Sequence, residues 1–143
     1  MKNQLNKVIV VGIIILLIGI SIVPRTSASL DDDIEIYISA GLNNYLKDPM
    51  KSTFGFGMCV YVVNNRSESI KIYIQEDYYT LLGEPLNVFQ QRWSFVMPSN
   101  YSYPTWSSGG VPFPCRYTVT VQAGVIKYVS RSGFAFLRIV FFP

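Results

Sequence analysis

Few side chains in this sequence can do chemistry. Cys59 and Cys115 are the only cysteines, and there is no histidine. Two isolated cysteines without histidine make a poor metal site. In an exported chain an even pair predicts a disulfide between Cys59 and Cys115; the alternative is two buried free thiols. The two lie 56 positions apart. Closing a loop of that length is worth about 4 kcal/mol on the chain-entropy model, before native strain is subtracted. Asn65-Arg66-Ser67 and Asn100-Tyr101-Ser102 are N-glycosylation sequons in expected loops. Their plainer reading is asparagine serving a turn. Tyr101, Tyr103, Trp106 and Phe113 fall in one proline-rich stretch. Flat rings on a loop stack on sugars or pack on a partner, or else cover one end of a core.

No set of residues supports catalysis. Glu76 and Asp77 are adjacent, so on a strand they point to opposite faces and form no acid/base pair. Asp31, Asp32 and Asp33 lack the spacing of a calcium loop and read as a solvated run. Ser130-Arg131-Ser132-Gly133 has no base and no strand–turn–helix context for a nucleophile elbow. The lack of histidine argues against histidine-based hydrolases and most zinc and haem sites. No phosphate loop or dinucleotide fingerprint occurs. The expectation is a non-enzyme with no catalytic residue, no cofactor and no metal.

The segment that sets the context is residues 8–23, VIVVGIIILLIGISIV, sixteen residues without a charge. Lys2 and Lys7 precede it; Pro24, Arg25 and the small residues Thr26, Ser27, Ala28 and Ser29 follow. This is the pattern of a secretory signal, with Ser29 as the new N-terminus. As a helix it would be roughly 24 Å long, against a hydrocarbon core of about 30 Å. It is long for a signal core and short for a span. Cleaved signal and retained anchor both stay open, and both leave the basic residues inside and the aspartates outside. A buried helix of a soluble domain would show a polar face, and this run has none.

Residues 1–28 are therefore expected to be a signal peptide or N-terminal membrane anchor, 29–33 a linker, and 34–143 one domain. The leader holds Lys2, Lys7 and Arg25; nine basic and nine acidic residues remain beyond it. The exported part is formally neutral, so the basic pI gives no support for nucleic-acid binding. All ten Tyr, nine Phe and two Trp follow residue 30, and these residue types favour strands.

Alternation predicts the elements that would position these groups. Residues 34–40 read as a first strand with Ile34, Ile36 and Ile38 on one side; a helix over 33–46 is the alternative. Residues 54–63 read as one central strand, with Gly55 and Gly57 marking a bulge or close backbone approach. An asparagine-rich turn leads to Ile70, Ile72 and Ile74, a hairpin signal. Residues 78–82 suggest a short strand, and 87–97 a half-buried one. Residues 98–114 hold four prolines and read as irregular. Cys115, Tyr117, Val119, Val121 and Ala123 then alternate inward, and 125–129 and 134–142 read as the last two strands, separated by Ser130–Gly133. About seven short strands predict an all-β fold, an antiparallel β-sandwich preceded by one N-terminal hydrophobic helix.

The cysteine strand, asparagine-rich turn, Tyr/Val strand and late Cys115-x-Tyr117-x-Val119-x-Val121 resemble an immunoglobulin-like domain. The resemblance implies a pin between sheets from Cys59 to Cys115. The leader is similar to those of small exported archaeal proteins. The function expected is a non-catalytic, exported or membrane-tethered sandwich for cell-surface interaction or envelope structure. Its partners would be the membrane through an uncleaved leader and a protein or glycan outside the cell. The alternative is a carbohydrate or small-ligand module using the aromatic loop around Trp106.

Overall fold

The computed structural model describes residues 33–41, 53–108 and 110–143. The leader, most of the linker and the second half of the alternative helix lie outside the described residues, and so does the question of an N-terminal helix. Among the described residues no helix is long and apolar enough to cross a membrane.

The described chain is all-β and antiparallel, and forms a sandwich-like pair of sheets. The strands are β1 (Ile34–Ala40), β2 (Phe54–Phe56), β3 (Met58–Asn64), β4 (Ile70–Tyr79), β5 (Gln91–Met97), β6 (Tyr101–Ser107), β7 (Val111–Ala123), β8 (Lys127–Leu137) and β9 (Ile139–Phe141), with one 3-10 turn at Asn87–Phe89. One sheet has the order β1-β3-β6 and the other β2-β9-β8-β7-β4-β5. Strand side chains alternate between faces, and one face of each sheet is apolar. Ile34, Ile36, Ile38, Met58, Val60 and Val62 of the small sheet share a core with Ile70, Ile72, Ile74, Tyr117, Val119 and Val121 of the large one.

Two corners decide which strand joins which sheet. At Gly57 the backbone has φ 72°, and the expected single strand over 54–63 breaks there: β2 joins the large sheet and β3 the small one. Gly55 makes the close approach, since a Cβ on it would lie 2.5 Å from the Cα of Gly41. The second corner is Asn64, wholly buried. Its Nδ2 donates to the carbonyls of Glu68 at 3.0 Å and Pro98 at 2.8 Å, and its Oδ1 accepts from the Arg66 amide at 3.2 Å. These bonds satisfy the buried amide and turn the chain across to the other sheet. The expected hairpin over residues 54–74 is thereby corrected: β3 pairs with β1 and β6, and β4 with β5 and β7.

The facing edges are closed in two ways. On one side β5 and β6 follow each other in sequence, and Phe95 meets Tyr103 edge-on at 5.6 Å. On the other, β9 covers only residues 134–136 of β8. From the uncovered part of β8, Lys127 Nζ donates to the Ile34 carbonyl and Arg131 Nη1 to that of Ile38 at 2.5 Å. The Arg131 guanidinium also lies 4.9 Å over the Phe142 ring.

Three other expectations change. Residues 98–114 are largely strand. Pro104 is tolerated because β6 is an edge strand, and Pro112 and Pro114 fall where the β7–β8 register shifts between Val111 and Cys115. Ser130–Gly133 is the middle of one long β8, not a break, because each of its residues pairs with β7. Residues 78–79 complete β4 instead of starting a new strand. The disulfide is also corrected: Cys59 and Cys115 are buried free thiols. Met58, Val60 and Val62 occupy the inner face of β3, so Cys59 points to the other face, away from the core to which Cys115 belongs. The Cys115 thiol instead lies 3.5 Å from the Ala135 carbonyl.

Burial pushes both thiols up to about 11, so little reactive thiolate exists at neutral pH. The native protein should resist iodoacetamide at pH 8, and chain unfolded without reductant should take two labels by mass spectrometry. One cystine and no labels would refute the free-thiol arrangement. Gly133 tests the packing of the chain end: a Cβ there would sit 1.9 Å from the Phe141 carbonyl oxygen. Gly133→Ala should cost about 3 kcal/mol or prevent folding, on the overpacking scale; a melting temperature equal to wild type would contradict the close approach.

Candidate binding site

The outer face of the large sheet carries a polar grid. Strand pairing puts Gln75, Thr120 and Ser130 in one row and Asp77, Thr118 and Ser132 in the next. Side chains in register on neighbouring strands lie side by side. Thr118 and Ser132 exchange a hydroxyl bond at 2.9 Å, and Gln75 Nε2 donates to Asp77 Oδ2 at 2.7 Å. The third row is Tyr79, Arg116 and Phe134. Here the face becomes concave. A hollow of about 350 Å³ has Tyr79, Gly83, Arg116, Thr118, Ser132, Phe134 and Pro143 among its lining residues.

An apolar shelf continues the same row. Phe134 pairs in register with Phe141, and Phe141 with Phe54. The next row is Phe136, Ile139 and Phe56. Phe54 is 62% exposed, Phe56 52% and Leu137 53%. A second, shallower hollow of about 520 Å³ lies among Phe56, Val111, Leu137, Arg138 and Ile139. Contiguous exposed apolar surface of this kind marks interaction sites.

Two acids are buried where none was expected to be, Glu76 and Asp77, and Glu76 is the one that faces the core. Glu76 continues the inward face of Ile70, Ile72 and Ile74 and is wholly buried. Its Oε2 accepts from the Tyr78 hydroxyl at 2.7 Å. Among the described residues its Oε1 and the nearby Tyr117 hydroxyl find no partner at hydrogen-bond geometry. Burial raises the Glu76 carboxyl above its ordinary range, against the lowering influence of Tyr78, Ser107 and Tyr117 around it. Burial likewise raises the Tyr78 and Tyr117 hydroxyls. Asp77 lies on the opposite face, as adjacency predicts. A carboxyl sealed under the sheet meets no substrate, so this group bears on stability and not on chemistry.

The residues singled out from sequence are dispersed. Tyr101, Tyr103 and Trp106 lie on β6 and not on a loop. Trp106 is in register with Cys59, on the outer face of the small sheet, whereas Tyr103 pairs with Val62 on the other face. Phe113 lies on β7 and meets Phe89 edge-on at 5.8 Å. The four do not form one surface. Asn65 and Asn100 are both exposed and share one end of the sandwich, where the Asn100 amide donates to the Arg66 carbonyl at 3.1 Å. Among the described residues no group of three or more potential metal ligands occurs. Sequence reasoning missed Arg116, Tyr79 and Phe134. The outward alternation of Arg116 and Thr118 was visible, but the pairing that joins them to β4 and β8 was not.

No family model matches the chain, and no curated protein matches it. A solved structure, a calcium-binding mutant of Bacteroides uniformis beta-glucuronidase 2, is similar over 71% of this chain and 13% of its own, with 13% identity and a TM-score of 0.41. The chain thus spans a small part of that protein.

The Glu76 arrangement gives a pH dependence. The folded chain holds a proton that the unfolded chain releases near its ordinary value of 4.5. This contribution is fully present below that pH and is lost as pH rises through the raised folded value. Glu76→Gln removes the titration, and its amide can donate to the Tyr117 hydroxyl. Urea unfolding at pH 4 and pH 8 should show wild type losing stability relative to the variant as pH rises, with the variant ahead by about 1 kcal/mol at pH 8. A variant equally weaker than wild type at both pH values would sink this account.

Proposed function

We propose that the chain is a non-catalytic β-sandwich domain, exported and then released or tethered through residues 8–23, that engages a partner outside the cell. In this reading the domain is an immunoglobulin-like module, supported by its two antiparallel sheets sharing one core. The observation that carries the proposal is the position of the exposed aromatic shelf. The chain enters the domain at Asp33, whose carbonyl accepts from the Asn65 amide at 2.7 Å. β1 then runs the length of the sandwich, seven residues or about 23 Å, to Gly41 beside Gly55. Phe54, Phe56 and Arg116 belong to that far end.

A tethered domain would therefore present its shelf and hollow away from the membrane. Asn65 and Asn100, if glycosylated, would carry glycans at the near end, clear of the shelf. The formal neutrality of residues 29–143 supports a protein or glycan partner over nucleic acid. Proteinase K added to intact cells producing the full chain should remove the domain, as followed with an antibody to it. Protection of the domain until the cells are lysed would exclude surface display.

A further inference from the structure

The geometry points to the hollow between Tyr79 and Phe134 as a site for an acidic sugar, a pyranose ring carrying a carboxylate. The inference rests on the recognition role proposed above and names the ligand chemistry of the same end of the domain. Three features converge on one space of about 350 Å³, the lower part of the range for small-ligand sites.

The first is charge. Arg116 lines the hollow, and its Nη1 lies 4.0 Å from where a Cβ on Gly83 would stand. Among the described residues no hydrogen bond or ion pair engages that guanidinium. A guanidinium offers a planar fork that matches a carboxylate.

The second is the flanking pair of rings. Tyr79 and Phe134 sit on either side of Arg116 in register, on β4 and β8. Two strand spacings separate their backbones, about 10 Å, with Arg116 standing between them, so a sugar ring seated over the guanidinium meets an aromatic ring at either side. The C–H face of a pyranose is apolar and packs on an aromatic ring.

The third is the hydroxyl pair one row behind. Thr118 and Ser132 use one donor and one acceptor on each other at 2.9 Å. One donor and three lone pairs remain for the hydroxyls of a sugar. Asp77 is in register with Thr118 but does not line the hollow, and Gln75 engages its Oδ2. A fatty acid would leave the hydroxyl pair unused, and a neutral sugar would leave Arg116 unused. A uronic acid uses all three features.

Saturation-transfer NMR on the full chain in neutral-lipid nanodiscs tests this, with glucuronate, galacturonate, glucose and acetate as probes. One or both uronates should receive saturation at their ring protons, and glucose and acetate much less. Arg116→Gln, at an exposed position, should keep the wild-type melting temperature and weaken uronate binding about tenfold. Phe134→Leu should weaken it while the rest of the uronate signal pattern is kept. Equal response to glucose and glucuronate, or an unchanged response in Arg116→Gln, would overturn the acidic-sugar assignment. If no probe responds while protease finds the domain outside the cell, the ligand class fails alone. If the domain lies inside the cell, the recognition role fails first.

Discussion

The constraint on which the rest of the structure depends is the edge of β1 over residues 34–38, which no described strand pairs with. An unpaired edge exposes a row of carbonyl and amide groups that must be covered or solvated. Here it faces the stretch of β8 that the three-residue β9 leaves uncovered. Among the described residues no strand fills that gap; Lys127 and Arg131 reach across it, each donating to a β1 carbonyl. Both extend from the inner face of β8, in register with Ala123 and Val119 of the core. Burial lowers the proton affinity of Arg131. A desolvated guanidinium is tolerated because it gains a carbonyl and the face of Phe142 together. Phe142 in turn stacks on Tyr117 at 5.8 Å and passes Gly133 at backbone contact distance. The end of the chain, the closure of the sandwich and the centre of the core are thus one arrangement.

Much of the fold was legible in the sequence because it obeys a period of two. Ile34, Ile36 and Ile38, Ile70, Ile72 and Ile74, and the run from Cys115 to Ala123 all face the way alternation says. Sheet membership was not legible. It is decided at Gly57 and Asn64, where a positive φ and three side-chain bonds redirect the chain. Neither leaves a mark in a hydrophobicity pattern. The proline-rich stretch misled because proline forbids a central strand and not an edge strand or a bulge. Ser130-Arg131-Ser132-Gly133 misled because its polar residues serve both faces of β8. Ser130 and Ser132 join the outer grid, while Arg131 reaches inward to β1.

The candidate site was legible only in fragments. That Arg116, Thr118 and Thr120 face outward followed from the inward run beside them. That they meet Tyr79 and Phe134 required the β4–β7–β8 pairing, which joins residues far apart in sequence. The aromatics that sequence favoured are instead divided between two faces by the alternation of β6. Trp106 went to the outer face of the small sheet, and Tyr103 to the side that meets Phe95. Nearness in sequence is a poor guide to a shared surface once a segment is a strand.

Glu76 and Arg116 show how one sheet separates stability from recognition. β4 and β7 each present polar groups to both faces. Inward, Glu76 is held among Tyr78, Ser107 and Tyr117, where burial keeps it from ligands and favours its neutral form. Outward, Arg116 remains exposed beside two rings and two hydroxyls. Tyr117 connects the two, since it is in register with Tyr78 inside the sheet and lies between Arg116 and Thr118 in the chain. A shift of register by one residue along β7 would exchange these faces, putting a guanidinium in the core and a tyrosine in the hollow. The many inward apolar residues of β7 set against β4 prevent that slip. The core that makes the domain stable is therefore also what aims Arg116 outward, and the hollow depends on packing it does not touch.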